Sequence, residues 1–147
     1  MPGGQTMFLG EYQHAVDEKG RLTVPARFRI GLGDPFIATR GLDGCLFAYP
    51  LDVWEKISSQ LESLPFTESA PRAFARLFFS GATEGAFDRQ GRMLIPPALR
   101  AYAALDREAV IIGVANRVEI WSGQRWRDYR ARVEQDYQAL AEGLFKG

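Results

Sequence analysis

An internal duplication is the feature that most constrains how this 147-residue chain can fold. The segment DEKGRLTVP at residues 17–25 is matched by DRQGRMLIP at residues 88–96, so that equivalent residues lie 71 positions apart (17 to 88). After a slip of one residue the similarity continues until Trp54, which falls on Trp126. Self-similarity of this length predicts two copies of one small structural unit, over about residues 8–54 and 79–126.

Each copy is expected to be rich in short strands. In the first copy, a predicted strand over residues 8–16 leads into a tight turn at residues 17–20, where Asp and Gly are the residue types that such turns favour. The next four residues alternate polar and apolar, the period of a half-buried strand. Leu22 and Val24 should therefore point inward, and Arg21 and Thr23 outward. A short helical turn that starts after Pro25 and two more strands, near residues 36–40 and 45–49, complete the unit.

Helices are predicted between and after the two copies. Apolar residues from Trp54 to Leu64 recur every three or four positions until Pro65, and a second helix opens near Pro71; residues 55–78 are thus interpreted as linking helices. One last helix is expected to start at about Gly123, and residues 127–147 are interpreted as a C-terminal helix and tail. Residues 1–7 are interpreted as a flexible leader.

The size of the unit predicts how the two copies combine. About 45 residues with four short strands cannot bury both faces of a sheet alone, so each copy needs a partner. The fold class is therefore predicted to be α+β and mainly β, with the strands of the two copies interleaved into one pseudo-two-fold β-barrel and the helices outside it.

The composition argues against several functional classes. Cys45 is the only cysteine and His14 the only histidine, so an intrachain disulfide and a Cys/His zinc cluster are excluded, and no metal or other cofactor is expected. His14 and Cys45 are interpreted as packed or exposed side chains. The chain has none of the familiar nucleophile, phosphate-loop or zinc-protease motifs, so an enzyme is not expected. No apolar run is long enough for a membrane span and no secretion signal precedes the fold, which predicts a cytoplasmic protein.

The charged residues favour nucleic acid only through their local placement. The formal net charge is +0, which gives no global attraction to phosphate. Of the 18 basic residues, 15 are arginine and three are lysine. Arginine is the side chain best suited to bidentate contacts with guanine or phosphate. Arg21 and Arg92 each follow a tight turn on the outward face of a strand, with Lys19 and Arg89 in the turns beside them. From spacing alone, the alternative is an ordinary hairpin turn with an aspartate cap and an exposed arginine.

A second pair of equivalent arginines, Arg29 and Arg100, has a different predicted role. Both residues lie at the end of the helical turn that starts after Val24-Pro25 in the first copy and Ile95-Pro96 in the second, and a structural ion pair is expected for each.

The duplicated motifs also resemble a known family. Residues 7–10 (MFLG), the segment 17–29 (DEKGRLTVPARFR) and the second copy at residues 88–96 are similar to the MraZ family, and both copies resemble the AbrB (SpoVT-AbrB) type of DNA-binding β-hairpin. The resemblance implies a barrel of two AbrB-like halves that assembles into ring-shaped homo-oligomers. It further implies a nucleoid-associated transcriptional regulator, bound to double-stranded DNA at short direct repeats upstream of the division and cell-wall gene cluster and of its own gene. The arginine that closes D-x-x-x-R is the DNA contact in that family, which carries over to Arg21 and Arg92.

The second turn departs from the first at two positions. Arg89-Gln90 stands where the first turn has Glu18-Lys19, so that the two halves are expected to contact DNA unequally. A non-enzymatic protein-interaction or assembly module is the alternative function, since small β-barrels can also serve as adaptors.

Overall fold

A computed structural model describes residues 7–145, so nearly all of the leader predicted for residues 1–7 lies outside the described residues. The described part of the chain contains eight strands and six helices. In chain order these are β1 (Glu11–Ala15), β2 (Arg21–Thr23), α1 (Ala26–Leu32), β3 (Phe36–Arg40), β4 (Leu46–Tyr49), α2 (Leu51–Glu62), α3 (Ser69–Ser80), β5 (Thr83–Gly85), β6 (Arg92–Leu94), α4 (Pro97–Tyr102), β7 (Glu108–Val114), β8 (Arg117–Ser122), α5 (Gly123–Glu134) and α6 (Tyr137–Phe145). No helix in this range is both long and apolar enough to cross a lipid bilayer.

The strands of the two copies interleave, as the sequence predicts. Six of them form one sheet in the order β1-β7-β8-β4-β3-β5, and β2 pairs with β6 in a separate two-stranded ribbon. All of these pairings are antiparallel, and β1–β7, β4–β8, β3–β5 and β2–β6 each join a strand of the first copy to one of the second. The mixed α+β, mainly β class is therefore confirmed. Isolated bridges also join Val16 to Leu22 and Phe87 to Met93, at the two places where the ribbon meets the edges of the sheet.

The sheet carries apolar side chains on both faces, because successive residues of its strands alternate between two cores. Ala109 and Ile111 of β7 belong to the core under the ribbon, which also contains Leu22 and Met93. Val110 and Ile112 belong to a second core, which is covered by α2, α3 and α5. The ribbon and the long helices thus lie on opposite faces of the sheet.

The helices between the copies agree with the apolar periodicity, but the C-terminal part does not. The predicted start at about Gly123 is confirmed, but the prediction of one continuous helix is wrong: α5 ends at Glu134 and α6 begins at Tyr137. Asp136 lies at the break, and aspartate favours helix ends over helix interiors because its side chain competes for backbone N–H groups. The packing of the apolar side chains changes at the same point: Trp126 and Tyr129 of α5 pack on the second core, whereas the large apolar residues of α6 are exposed.

Candidate nucleic-acid interface

The two duplicated turns fold in the same way. Asp17 accepts hydrogen bonds at Oδ1 from the backbone N–H of Lys19 (3.0 Å) and of Arg21 (2.8 Å). Asp88 repeats this arrangement, with both acceptor distances at 2.9 Å. Gly20 has φ +82° and Gly91 has φ +76°, a left-handed conformation that glycine adopts without steric cost. The Asp and Gly of the motif are therefore both required by the turn geometry.

Each aspartate also holds the arginine four residues further on. Arg21 Nε donates to Asp17 Oδ2 at 2.7 Å, and Arg92 Nε donates to Asp88 Oδ2 at 2.9 Å. The pKa of both carboxyl groups is lowered, chiefly because the backbone N–H of that same arginine donates to the carboxylate, while desolvation acts in the opposite direction. We refer to each Asp–Arg pair as a clamp. A clamp occupies Nε and leaves the Nη end of the guanidinium for other partners.

The ribbon brings the two clamps onto one surface. In its register, Arg21 lies opposite Leu94, Leu22 opposite Met93, and Thr23 opposite Arg92. Leu22 and Met93 are buried in the core beneath, so the other four side chains share the outer face, as the alternation of residues 21–24 predicts. The Arg21 and Arg92 side chains are 33% and 25% exposed, and Arg92 Nη1 lies 3.6 Å from Asp17 Oδ2. Both guanidinium groups are thus accessible on a single face and are linked through one carboxylate.

Lys19 and Arg89 lie in the exposed turns at opposite ends of the ribbon. This follows from the antiparallel pairing, in which Gly20 O accepts from Ile95 N at 2.8 Å and Gly91 O accepts from Val24 N at 3.1 Å. The structure therefore brings Arg21 and Arg92 together, whereas the two turn cations flank them on either side.

The structural ion pairs predicted for Arg29 and Arg100 are wrong. Within residues 7–145, neither side chain pairs with a carboxylate. Arg29 Nη1 donates instead to Val24 O at 2.5 Å and lies against Gly91, and a Cβ built on Gly20 would overlap the Arg100 guanidinium. Each arginine thus packs over the turn glycine of the other copy, where the missing side chain leaves room for it.

Neither the lone cysteine nor the lone histidine is part of the two clamps. Cys45 is buried, its Sγ donates to Leu42 O at 3.2 Å, and burial raises the pKa of its thiol well above the usual range. His14 is half-buried on β1. In the part of the chain that the structure describes, no three His, Cys, Asp or Glu side chains are grouped so that they could hold a metal ion.

Two features of the surface were not anticipated from the sequence. The contact between Arg92 and Asp17 depends on the pairing of β2 with β6, which no local pattern indicates. Leu94 is 60% exposed beside Arg21, and here a signal was present: Met93 and Ile95 flank it, both buried, so the same alternation places Leu94 outward.

Comparison with known proteins finds the same family that the duplicated motifs resemble. The family model described as "MraZ protein, putative antitoxin-like" matches the chain twice, at residues 7–77 and 78–146. The chain is 58% identical over 138 residues to a protein of Pelotomaculum thermopropionicum named "Transcriptional regulator MraZ", an alignment that covers 94% of this chain and 95% of the relative. Proteins of the same name from Desulforamulus reducens and Moorella thermoacetica are each 57% identical over 138 residues, with 94% of this chain covered and 97% and 96% of the relatives.

Proposed function

Because the chain belongs to the MraZ family, we propose that it is a sequence-specific DNA-binding transcriptional regulator. The observation that carries the proposal is the pair of Asp–Arg clamps on one accessible face of the β2–β6 ribbon. The proposed targets are short direct repeats upstream of the division and cell-wall gene cluster, including the protein's own promoter. The protein would act in the cytoplasm, associated with the nucleoid, and without catalytic activity or cofactor.

The ribbon has the dimensions needed for base recognition. A two-stranded β-ribbon is narrow enough to enter the major groove of B-DNA, and an arginine there can donate both Nη groups to O6 and N7 of guanine. Each clamp restrains its arginine at Nε before DNA arrives, so that less side-chain freedom is lost on binding. We assign Arg21 and Arg92 to guanine contacts on this basis, and Lys19 and Arg89 to phosphates beside the groove.

One protomer would bind DNA weakly. The carboxylates of Asp17, Asp88 and Glu18 lie among the four proposed DNA-contacting cations, and sequence-independent affinity grows with the number of phosphates that a protein neutralises. A ring-shaped homo-oligomer would bind DNA more strongly, because repeated copies of the ribbon's outer face can contact successive DNA repeats and so gain avidity.

Exposed apolar residues support the assembly. Leu144 and Phe145 of α6 are 81% and 86% exposed, and Phe66, Phe74 and Leu77 are further exposed apolar residues on and before α3. Exposed apolar groups of this kind mark association surfaces. Size-exclusion chromatography with light scattering should give the mass of a multimer, and a monomer at micromolar concentration would remove the ring from the proposal.

Closure of the strands into one pseudo-two-fold barrel is part of the proposal. The bridges of Val16 to Leu22 and of Phe87 to Met93 support it, because together with the β2–β6 pairing they continue the strand order from each edge of the six-stranded sheet around to the other. The division into AbrB-like repeats at residues 8–54 and 79–126, linking helices at 55–78 and a C-terminal segment at 127–147 stays a prediction. The two family-model matches support its two-unit form.

A gel-shift experiment tests the DNA-binding function. Duplexes with tandem short repeats from the region upstream of the protein's own gene are compared with shuffled duplexes, for the wild type and for Arg21→Ala/Arg92→Ala. We expect the double variant to lose the preference for the repeats. Arg130→Ala/Arg132→Ala is the matched control, because it removes two arginines from α5 on the opposite face of the sheet.

The outcome also separates the two candidate functions. Undiminished binding by Arg21→Ala/Arg92→Ala would end the site assignment. Equal binding of repeat and shuffled DNA by the wild type would favour the protein-interaction or assembly module, for which the exposed apolar residues of α6 are the supporting observation.

A further inference from the structure

The outer face of the ribbon is symmetric in its arginines and asymmetric in its other two side chains. The ribbon is centred on the pair Leu22–Met93, which are equivalent residues of the two copies. Arg21 and Arg92 are likewise equivalent and identical. Thr23 and Leu94 are equivalent but differ, so the two ends of an otherwise two-fold arrangement present different chemistry.

Leu94 is conspicuous because it is a large apolar side chain exposed on a face whose other three side chains are polar. It is 60% exposed and lies directly across the ribbon from Arg21, whereas its equivalent Thr23 lies across from Arg92. Side chains of directly opposed residues have Cβ atoms about 5 Å apart. Leu94 therefore faces the groove close to the base that Arg21 contacts.

On the premise of the proposed DNA-binding function, we propose that Leu94 contacts the C5-methyl group of a thymine beside the guanine bound by Arg21, and that this contact orients the ribbon on the duplex. The thymine methyl is the one apolar group that the major groove displays, and apolar side chains recognise it. Because base pairs are stacked about 3.4 Å apart and the two Cβ atoms are about 5 Å apart, the thymine lies one or two base steps from that guanine. The shorter Thr23 makes a smaller apolar contact beside Arg92, so the two halves of each DNA site are read unequally.

The difference between the two turns also makes the two ends of the ribbon unequal. Lys19 and Arg89 occupy different positions in their turns, so phosphate contacts at the two ends of the ribbon also differ. Leu94 adds a base-specific component to that asymmetry. A protomer would then bind its site in one orientation, as a site repeated head to tail requires.

The experiment uses a duplex that the wild-type protein has itself selected from a random-sequence pool. Each thymine of the duplex is replaced in turn by deoxyuridine, which removes only the methyl group, and each guanine by 7-deazaguanine, which removes N7. Dissociation constants are measured for the wild type, Leu94→Ser, Arg21→Ala and the exchange variant Thr23→Leu/Leu94→Thr. Leu42→Ser is the matched control, since Leu42 is 57% exposed in a turn remote from the ribbon.

The wild type should lose affinity about fourfold at one thymine, the value expected for burial of one methyl-sized group. That thymine should lie within two base steps of the guanine whose 7-deaza substitution no longer matters in Arg21→Ala. Leu94→Ser should be insensitive to deoxyuridine there, Leu42→Ser should behave as the wild type, and the exchange variant should move the sensitivity to the guanine that depends on Arg92.

Failure of this inference differs from failure of the proposed function. If the selected duplex is preferred and Arg21→Ala weakens binding, but deoxyuridine has no effect or acts equally in Leu94→Ser, the role of Leu94 is refuted and the DNA-binding function stands. If the pool yields no preferred sequence, the proposed function fails and the role of Leu94 fails with it.

Discussion

Replacement of Asp17 by asparagine separates the two roles of this residue in the turn and in the clamp. Asparagine keeps an Oδ1 that can accept the backbone N–H groups of Lys19 and Arg21, so the turn is retained. Its other terminal atom is an NH2 donor, which cannot accept from Arg21 Nε or pair with Arg92 Nη1. Asp17→Asn therefore releases one arginine completely and loosens the second, whereas Asp88→Asn releases Arg92 alone.

The magnitude follows from the freedom that each arginine regains. Immobilising one long side chain on binding costs roughly 0.5–1.5 kcal/mol, or about two- to twelvefold in affinity. We expect Asp88→Asn to weaken specific binding within that range and Asp17→Asn to weaken it more. Both variants also remove one negative charge that opposes phosphate, so binding to shuffled DNA should strengthen to a similar degree in each.

Fluorescence anisotropy with specific and shuffled duplexes, at several salt concentrations, measures the ratio of the two affinities. This specificity ratio should fall in the order wild type, Asp88→Asn, Asp17→Asn, with thermal midpoints recorded to show that all three proteins are folded. Because the change in charge is common to both variants, their difference reports the clamps alone. An unchanged ratio in Asp17→Asn, or a larger loss in Asp88→Asn, would refute the idea that the clamps prepare the arginines for DNA.

Three further predictions concern stability. The folded-state pKa of Asp17 and Asp88 is lowered below the unfolded value of about 3.9. Their contribution to the free energy of unfolding is therefore complete above about pH 5 and is lost as the pH falls through the folded pKa. Thermal midpoints from pH 6 to pH 3 should fall more steeply in the wild type than in a variant with both residues changed to Asn. Gly20→Ala should destabilise the fold by at least about 1–2 kcal/mol in urea denaturation, because of the positive φ and because its Cβ would displace the Arg100 guanidinium; a smaller loss would contradict the left-handed turn. Leu22→Ala should cost about 2–5 kcal/mol because the side chain is fully buried, whereas the exposed control Leu42→Ala should stay within about 0.5 kcal/mol.

Local patterns predicted the local structure well. The alternation at residues 21–24 correctly placed Leu22 and Val24 inside, because strand periodicity depends only on neighbouring residues. The D-x-x-G-R turn was likewise predicted, since Asp and Gly have strong turn preferences of their own. The break at Asp136 was missed because apolar residues continue across it at helical spacing, at positions 129, 133, 137 and 140. Only packing distinguishes the two segments, since the large apolar residues of α6 are exposed.

The pairing between copies could not be derived from local patterns. After the turn at residues 17–20, β2 could have returned along β1 as a long hairpin, yet only Val16 bridges to Leu22 and β2 pairs instead with β6. Two nearly identical units offer several such partners with similar hydrophobic patterns. The choice depends on non-local contacts, as do the positions of Arg29 and Arg100 over the glycines of the opposite turns.

The accessible face of the ribbon is a consequence of its buried face. Leu22 and Met93 form the central pair and point into the core, so the period of two leaves Arg21 and Arg92 no position except the outside. A slip of one residue in either strand would bury an arginine and expose a core residue, at a cost that the core does not permit. The hydrophobic pairing of the two copies therefore determines both the spacing and the common direction of the clamps, and the proposed DNA-contacting pair exists only because each copy completes the ribbon of the other.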